Sequence, residues 1–210
     1  MQHSKRFLIA AKTLAHAAAL TPLAILGAQM HEVWRTGSDV LGADPVAEIE
    51  HRLGLWALRL LLLTLAITPL RQLTGWNDLV RFRRMAGLYA FAYATLHLLA
   101  WLVLDLRGYW TQLFEDIAKR PYITVGFAAW LLLVPLALTS TRGWIRRLGR
   151  RWTQLHRLAY AIGVLAVLHF WWQVKADWRE PALYAAILAL LLGWRAFKAL
   201  RRRTWQPRRA

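Results

Sequence analysis

Cysteine is absent from this chain of 210 residues. Its absence excludes disulfide bonds, cysteine-ligated iron–sulfur clusters and cysteine-based zinc sites, and it also excludes covalent haem attachment through a CxxCH motif. Acidic residues are scarce too: 11 Asp and Glu stand against 28 Lys and Arg, so the formal net charge is +17. Such a charge can indicate a nucleic-acid partner. Here the basic residues flank apolar segments, which is typical of a membrane protein, so we expect contact with membrane lipid and no nucleic-acid partner.

Apolar residues make up 58% of the chain, which has 13 tryptophans and a mean hydropathy of +0.30. Several apolar stretches approach the length of about 20 residues that a helix needs to cross a bilayer. The pattern predicts an all-α integral membrane protein, with residues 1–210 folded as a single six-helix transmembrane bundle. The predicted spans are approximately 8–30, 52–70, 85–105, 122–140, 153–173 and 182–199.

The distribution of basic residues predicts the orientation of these spans. Lys and Arg concentrate in the N-terminal segment, the second and fourth linkers and the C-terminal end, and only Asp78 among the acidic residues falls on that side. By the positive-inside rule, both termini are predicted to be cytoplasmic. The first apolar stretch is interpreted as a span rather than a signal peptide, because it is long and lacks a clear small-x-small cleavage site followed by a soluble domain.

Two histidines lie inside predicted spans, His97 in the third and His169 in the fifth. Both spans run outward from the cytoplasm, and a rise of roughly 1.5 Å per residue places the two rings within about 6 Å of the same depth. A polar side chain at this depth needs a partner, and two histidines suit the axial positions of a haem iron. Small residues are expected to leave room for a flat macrocycle on both faces: Ala90, Ala94 and Ala100 beside His97, and Ala159, Gly163 and Ala166 on or near the face of His169. The alternative is interhelical hydrogen bonding and close helix packing.

His156 is a third candidate haem contact, 13 residues before His169. On an ideal helix 13 steps turn the side chain by about 140°, so the two rings would share a face only if Gly163, which lies between them, permits a local distortion. The position nearly in line with His97 at the inner end is Arg83, so a complete inner pair of histidines is missing. The cationic residues at this level, Lys12, His16, Arg83, Arg84, His156 and Arg157, could together hold a flavin phosphate or a quinone head, or could anchor lipid headgroups instead.

At the outer side, Arg59 and His51 are candidate contacts for haem propionates. Arg59 lies within the second span, where a charge is costly unless it finds a partner. The alternative for Arg59 is a side chain that snorkels from a tilted helix end.

An ordered series of motifs resembles the MsrQ/YedZ family, the haem-binding membrane subunits of the bacterial periplasmic methionine sulfoxide reductase system. The resemblance covers nearly the whole chain. Its motifs are LGADPV at Leu41–Val46 with His51 and Gly54 after it, ITPL at Ile67–Leu70, RRMAGL at Arg83–Leu88, ATLH ending at His97, RPYITVG at Arg120–Gly126, ALTST at Ala137–Thr141, LGRRWTQLH at Leu148–His156, and His169.

The resemblance implies a ferric reductase-like transmembrane fold in the bacterial inner membrane, with haem b and an association with FMN. It implies that His97 and His169 ligate the haem iron and that His156 is involved as well. The implied partner is a periplasmic molybdopterin-dependent methionine sulfoxide reductase, which repairs oxidised envelope proteins. This chain would then relay electrons to that partner from a cytosolic flavin reductase or from membrane quinol, and the methionine sulfoxide would be reduced on the partner.

Two other functions stay open at this stage. One is a self-contained quinol or ferric reductase of the cytochrome b561-like type, which keeps haem and needs no periplasmic enzyme. The other is a non-haem membrane transporter or assembly factor, in which the histidines and Arg59 line a polar path. Haem content separates the two.

Overall fold

The computed structural model describes residues 5–107 and 109–204, and every regular element in these ranges is helical. A 3₁₀ turn at Asn77–Leu79 leads into the third helix, and a π-helical turn at Trp101–Asp105 extends it. The helices are α1 Lys5–Thr36, α2 Pro45–Thr74, α3 Val80–Ala100, α4 Trp110–Lys119, α5 Pro121–Leu138, α6 Arg142–Leu148, α7 Arg150–Leu155, α8 Leu158–Gln173 and α9 Arg179–Thr204.

Six helical segments are long and apolar enough to cross a membrane, which confirms the predicted number of spans. The segments are Lys5–Thr36, Pro45–Thr74, Asn77–Asp105, Pro121–Leu138, Arg150–Gln173 and Arg179–Arg201. The predicted spans fall within a few residues of these bounds at most ends. Two short helices, α4 and α6, lie in the linkers on either side of α5 and were not predicted.

The bounds of α2 follow from local chemistry. Asp44 caps its first turn, because the carboxylate accepts a hydrogen bond from the Ala47 amide at 3.0 Å, and Pro45 occupies the first helical position, where no backbone donor is needed. Gly75 ends the helix with a φ of 70°, and its amide donates to the carbonyl of Arg71. Only glycine adopts this left-handed conformation without steric cost.

The centre of the bundle consists of two helix pairs, α2 with α3 and α5 with α8. α9 packs against α8 and α2, whereas α1 makes few contacts. Ile162 of α8 and Leu65 of α2 are almost completely buried between the pairs. Because His97 belongs to α3 and His169 to α8, each pair contributes one of the two histidines.

One buried hydroxyl joins α1 to this core. Tyr93 on α3 is 2% exposed, and its hydroxyl donates to the carbonyl of Ala19 at 2.7 Å. We expect Tyr93→Phe to lower the free energy of unfolding in detergent by about 0.5–1.5 kcal/mol, since the net value of one buried hydrogen bond is lost. Tyr109→Phe is the matched control, because Tyr109 is 63% exposed. Equal stability of the two variants would contradict this contribution.

Candidate functional site

A cavity of about 360 Å³ lies between the two helix pairs. Its walls are mostly apolar, and its volume falls in the range of about 300–1,000 Å³ typical of small-molecule sites. His97 and His169 both line it. So do Ala90, Ala94 and Ala166, three of the six small residues expected to leave room beside the histidines, whereas Ala100, Ala159 and Gly163 are not part of its wall.

The two imidazoles face each other across this cavity. Their ring centroids are 6.1 Å apart and their planes cross at 71°. Two imidazoles that ligate one metal ion from opposite sides, with metal–nitrogen bonds of about 2 Å, place their ring centroids about 6 Å apart. The spacing therefore fits a single iron between the rings.

Hydrogen bonds orient both rings. The Nδ1 atom of His97 lies 2.9 Å from the carbonyl oxygen of Glu50, and that of His169 lies 2.7 Å from the carbonyl oxygen of Tyr122. A carbonyl only accepts, so Nδ1 of each ring carries the proton and donates it. Each Nε2 keeps its lone pair, and no group in the described part of the chain hydrogen-bonds to it. Metal-bound histidines usually have this arrangement, because the bond at the other nitrogen sets the tautomer.

Among the described residues, no group of three or more His, Asp or Glu side chains could hold a metal ion alone. A haem iron between His97 and His169 would take its other ligands from the macrocycle, so two protein ligands are enough for it. The centroid spacing, the two available Nε2 atoms and the apolar walls all fit haem.

One end of the cavity is polar. It is formed where α2 and α5 begin and where α3 and α8 end, and it carries Glu50, His51, Asp105, Arg120 and Lys175. The hydrogen bond that Arg120 donates to the Tyr122 hydroxyl raises the pKa of Arg120, which stays cationic. Arg120 also pairs with Asp116 at 3.1 Å. Sequence reasoning missed Arg120 and Lys175 as site residues.

The two predicted propionate contacts differ in position. His51 lines the cavity, and its Nε2 lies 3.8 Å from the Glu180 carboxylate. Arg59 does not line it: its Nε donates to the Tyr184 hydroxyl at 2.8 Å, and its Nη2 lies 3.9 Å from the same Glu180 carboxylate. The guanidinium also lies over the Trp56 ring, 5.1 Å from its centroid. Arg59 therefore reaches the cavity indirectly, through Glu180 beside His51 and through Tyr184, whose ring centroid lies 6.1 Å from that of the lining residue Phe170.

His156 lies apart from this cavity. The α-helical hydrogen-bond pattern is interrupted at residues 156 and 157, between α7 and α8, so the distortion occurs at the histidine itself and not at Gly163. Its Nε2 lies 3.3 Å from the Thr139 hydroxyl, and its ring centroid is 3.9 Å from that of Trp152. Trp152 in turn donates to the carbonyl of Thr139 at 3.0 Å. Thr139 and Trp152 therefore hold the His156 ring at this position, outside the cavity.

The other inner candidates are divided between two places. Arg84 donates to the carbonyl of Ser140 at 3.4 Å, next to Thr139 and hence to His156. Arg83 lies close enough to His156 and Arg195 to interact with them electrostatically. His16 lies on α1, where its Nδ1 is 2.9 Å from the Tyr89 hydroxyl. The structure therefore brings Arg83 and Arg84 near His156 and places His16 separately.

Residues 53–168 match the family model described as the ferric reductase like transmembrane component. Three similar proteins each have the description "protein-methionine-sulfoxide reductase heme-binding subunit MsrQ". The protein of Xanthomonas axonopodis pv. citri is 70% identical over 210 residues, 100% of this chain and 96% of its own length. That of Xanthomonas campestris pv. campestris strain 8004 is 73% identical over 192 residues, 91% and 88% of the two lengths. That of Bordetella pertussis is 52% identical over 172 residues, 81% and 84%. No solved structure matches the chain.

Proposed function

The chain belongs to the MsrQ/YedZ family of haem-binding subunits, within the ferric reductase-like transmembrane proteins, and we propose that it supplies electrons to a periplasmic molybdopterin-dependent methionine sulfoxide reductase. It is a multi-pass protein of the bacterial inner membrane with a haem electron-transfer role. The reduction of methionine sulfoxide in oxidised envelope proteins takes place on the partner.

The pairing of His97 with His169 is the observation that carries this proposal. Both Nε2 atoms are available in one apolar cavity, with the ring centroids 6.1 Å apart. The two histidines would hold haem b, which when bound supplies reversible one-electron chemistry at its iron. The carbonyls of Glu50 and Tyr122 keep the ligand nitrogens deprotonated and aligned. The apolar walls of the cavity would keep water away from the two Nε2 atoms.

The polar end of the cavity supports an assignment for the haem propionates. His51, Arg120 and Lys175 lie there, and these are the groups that a pair of carboxylates would seek. Arg59 would act indirectly, because its guanidinium and His51 both approach Glu180. This assignment moves the main propionate contact from Arg59 to Arg120 and Lys175.

Both termini are proposed to be cytoplasmic, from the excess of basic residues in the terminal segments and the even number of spans. The polar end of the cavity then faces the periplasm. Trp172, which lines that end, is 50% exposed. A periplasmic partner docked at this end is proposed to accept electrons there.

Acidic residues of the outer segments could steer that partner, but most have partners already. Glu48 pairs with Arg52 at 2.6 Å, and Glu115 pairs with Lys119 at 2.9 Å. The other acidic residues proposed to steer the partner are Asp39, Asp44 and Asp116. Asp44 caps α2, and Asp116 pairs with Arg120. These intramolecular pairs reduce the field that the carboxylates present to a partner, so the steering effect is expected to be small.

Electrons are proposed to enter at the opposite, cytoplasmic end, from a cytosolic flavin reductase or from membrane quinol. FMN as a bound cofactor rests on the family resemblance. Arg83, Arg84 and His156 are proposed to contact a flavin phosphate there, since they lie near one another and two guanidiniums suit an anion. His16 is proposed to contact a quinone head together with its partner Tyr89, because the two meet where α1 makes few contacts with α3.

Deletion of this chain tests the proposed function. We expect cells without it to lose repair of periplasmic methionine sulfoxide, while the soluble partner stays active when a chemical reductant replaces the membrane subunit. Membranes of the complemented strain should show a reducible b-type absorbance, and a redox titration with haem and flavin quantified together would identify any second cofactor. Unchanged repair after deletion would favour a self-contained cytochrome b561-like reductase, and purified protein without haem would favour a transporter or assembly factor.

A further inference from the structure

The two histidines of the cavity are held by one arrangement that occurs twice. On α2, the carbonyl of Glu50 accepts from His97, and Gly54 one turn later lies against the same ring. On α5, the carbonyl of Tyr122 accepts from His169, and Gly126 one turn later lies against that ring. In both cases, the histidine lies 47 positions after the residue that supplies the carbonyl. Positions 50, 54 and 97 become positions 122, 126 and 169 on adding 72.

The contact between glycine and ring leaves no room for a side chain. A Cβ atom on Gly126 would lie 2.7 Å from Nδ1 and 2.8 Å from Cε1 of His169. On Gly54 it would lie 3.1 Å from Cε1 and 3.2 Å from Nδ1 of His97. Contacts of the first kind force the ring to move, and those of the second kind require it to shift by a few tenths of an ångström.

Neither glycine is explained by the backbone. Both lie inside helices and lack the positive φ that Gly75 and Gly149 adopt. A glycine inside a helix costs roughly 0.5–1 kcal/mol relative to alanine, so helix formation alone disfavours it. What the two positions share is the imidazole that their backbone touches.

We propose that Gly54 and Gly126 are positioning residues that set the planes of the two axial imidazoles, an inference that rests on the proposed binding of haem. In each copy the carbonyl fixes the direction of the Nδ1–H bond. The glycine lets the helix backbone contact the ring and blocks rotation about the Cβ–Cγ bond. The two copies together hold the planes at a crossing angle of 71°.

The crossing angle has an electronic consequence. Each imidazole interacts with the iron d orbital perpendicular to its own plane, so crossed planes leave two d orbitals close in energy. A ferric low-spin iron with crossed ligands therefore shows a more anisotropic EPR signal than one with parallel ligands. The orientation of the ligands is also one of the levers by which a protein sets the reduction potential.

The test compares Gly126→Ala and Gly54→Ala with the parent protein, all as the full chain purified in detergent. Gly163→Ala is the matched control, because a Cβ there would lie 3.1 Å from Leu188 Cδ1, as tight as at Gly54 but against leucine. We expect Gly126→Ala to weaken haem affinity about 10- to 100-fold and to change the ferric EPR signal, as loss of an orienting contact does elsewhere. Gly54→Ala should bind haem with a smaller loss and a shifted signal and midpoint potential. Gly163→Ala should keep the parent signal even where it lowers thermal stability.

The two hypotheses fail differently. Parent protein without a low-spin haem signal would overturn the proposed function itself. Parent protein with that signal, together with glycine variants that keep its shape, potential and affinity, would overturn only the positioning role. A signal changed equally by Gly163→Ala would also overturn it, since general packing would then explain the effect. If Gly126→Ala does not fold, judged by gel filtration and thermal unfolding, Gly54→Ala against Gly163→Ala decides the question.

Discussion

Protein carrying His169→Ala, and separately His97→Ala, is expected to lose the low-spin haem spectrum, and the double variant to bind no haem at this site. Each histidine offers one Nε2 atom to the cavity, and no other histidine in the described part of the chain lines it except His51 at the polar end. Removing one histidine would leave haem with a single protein ligand and should weaken haem affinity by at least about 10- to 100-fold, the loss seen when only an orienting partner is removed. Electron delivery to the partner should fall with it.

Optical and EPR spectra of the oxidised and reduced proteins, with haem quantified per chain, measure this effect. His31→Ala is the control: His31 is an exposed residue of α1 beside Trp34. His156→Ala should keep the centre held by His97 and His169, because Thr139 and Trp152 hold His156 outside their cavity. A low-spin spectrum that survives in the His97→Ala, His169→Ala double variant would refute this site.

The second large effect concerns a backbone carbonyl in α2 that loses its helical hydrogen-bond donor because of a proline. Pro69 has no N–H, so the carbonyl of Leu65, one turn earlier, has no helical donor. Arg195 on α9 donates from Nη2 to that carbonyl and from Nη1 to the carbonyl of Leu191, while its guanidinium lies over the Tyr160 ring. In membrane helices, a neighbouring helix has to satisfy a carbonyl freed in this way. Leu65 is 1% exposed, so water is not available as a substitute.

Arg195→Ala is therefore expected to lower the free energy of unfolding by about 1–3 kcal/mol, the cost of leaving a buried acceptor unpaired. In a Pro69→Ala background, the residue at position 69 supplies an N–H to the Leu65 carbonyl. Arg195→Ala should then lower the free energy of unfolding by at least about 1 kcal/mol less than it does in the parent protein. The lost contacts to Leu191 and Tyr160 are common to both backgrounds and cancel in the cycle.

Unfolding in detergent, followed by circular dichroism at increasing denaturant, measures the four proteins of this cycle. Lys198→Ala is a suitable control on the same helix. Lys198 lies over the ring of Trp194, 5.1 Å from its centroid, and both residues belong to α9, so this contact does not join two helices. Equal destabilisation by Arg195→Ala in both backgrounds would show that the Leu65 carbonyl is not what the guanidinium satisfies.

Some features of the site were readable in the sequence. An imidazole stands out in an apolar segment because its transfer into lipid is unfavourable unless it finds a partner, and the sequence of that one segment is enough to reveal it. Helix rise and span direction then predicted that His97 and His169 lie at similar depth, and the structure places their rings 6.1 Å apart. Their role as iron ligands stays a prediction. The periodicity argument also separated His156 from His169, although the break at residues 156 and 157 replaces the ideal helix that the argument assumed.

Other features depended on residues distant in the chain. Arg120 and Lys175 belong to linkers, and only the convergence of α2, α3, α5 and α8 brings them to one end of the cavity. Gly54 and Gly126 appeared in the family motifs, but nothing in those motifs connects a glycine with a ring 43 positions later. The constant offset of 72 between the two sets was a signal in the sequence, and the structure shows why it matters.

The sequence by itself determined the membrane class, the six spans and the two histidines within them. The free energy of transferring a segment into lipid depends on the residues of that segment, so it can be judged without the tertiary structure. Tertiary structure alone decided which nitrogen of each ring carries its proton, at what angle the rings cross and which cations reach the cavity. These depend on carbonyls, glycines and guanidiniums of other helices, whose distances are set only when the helices pack.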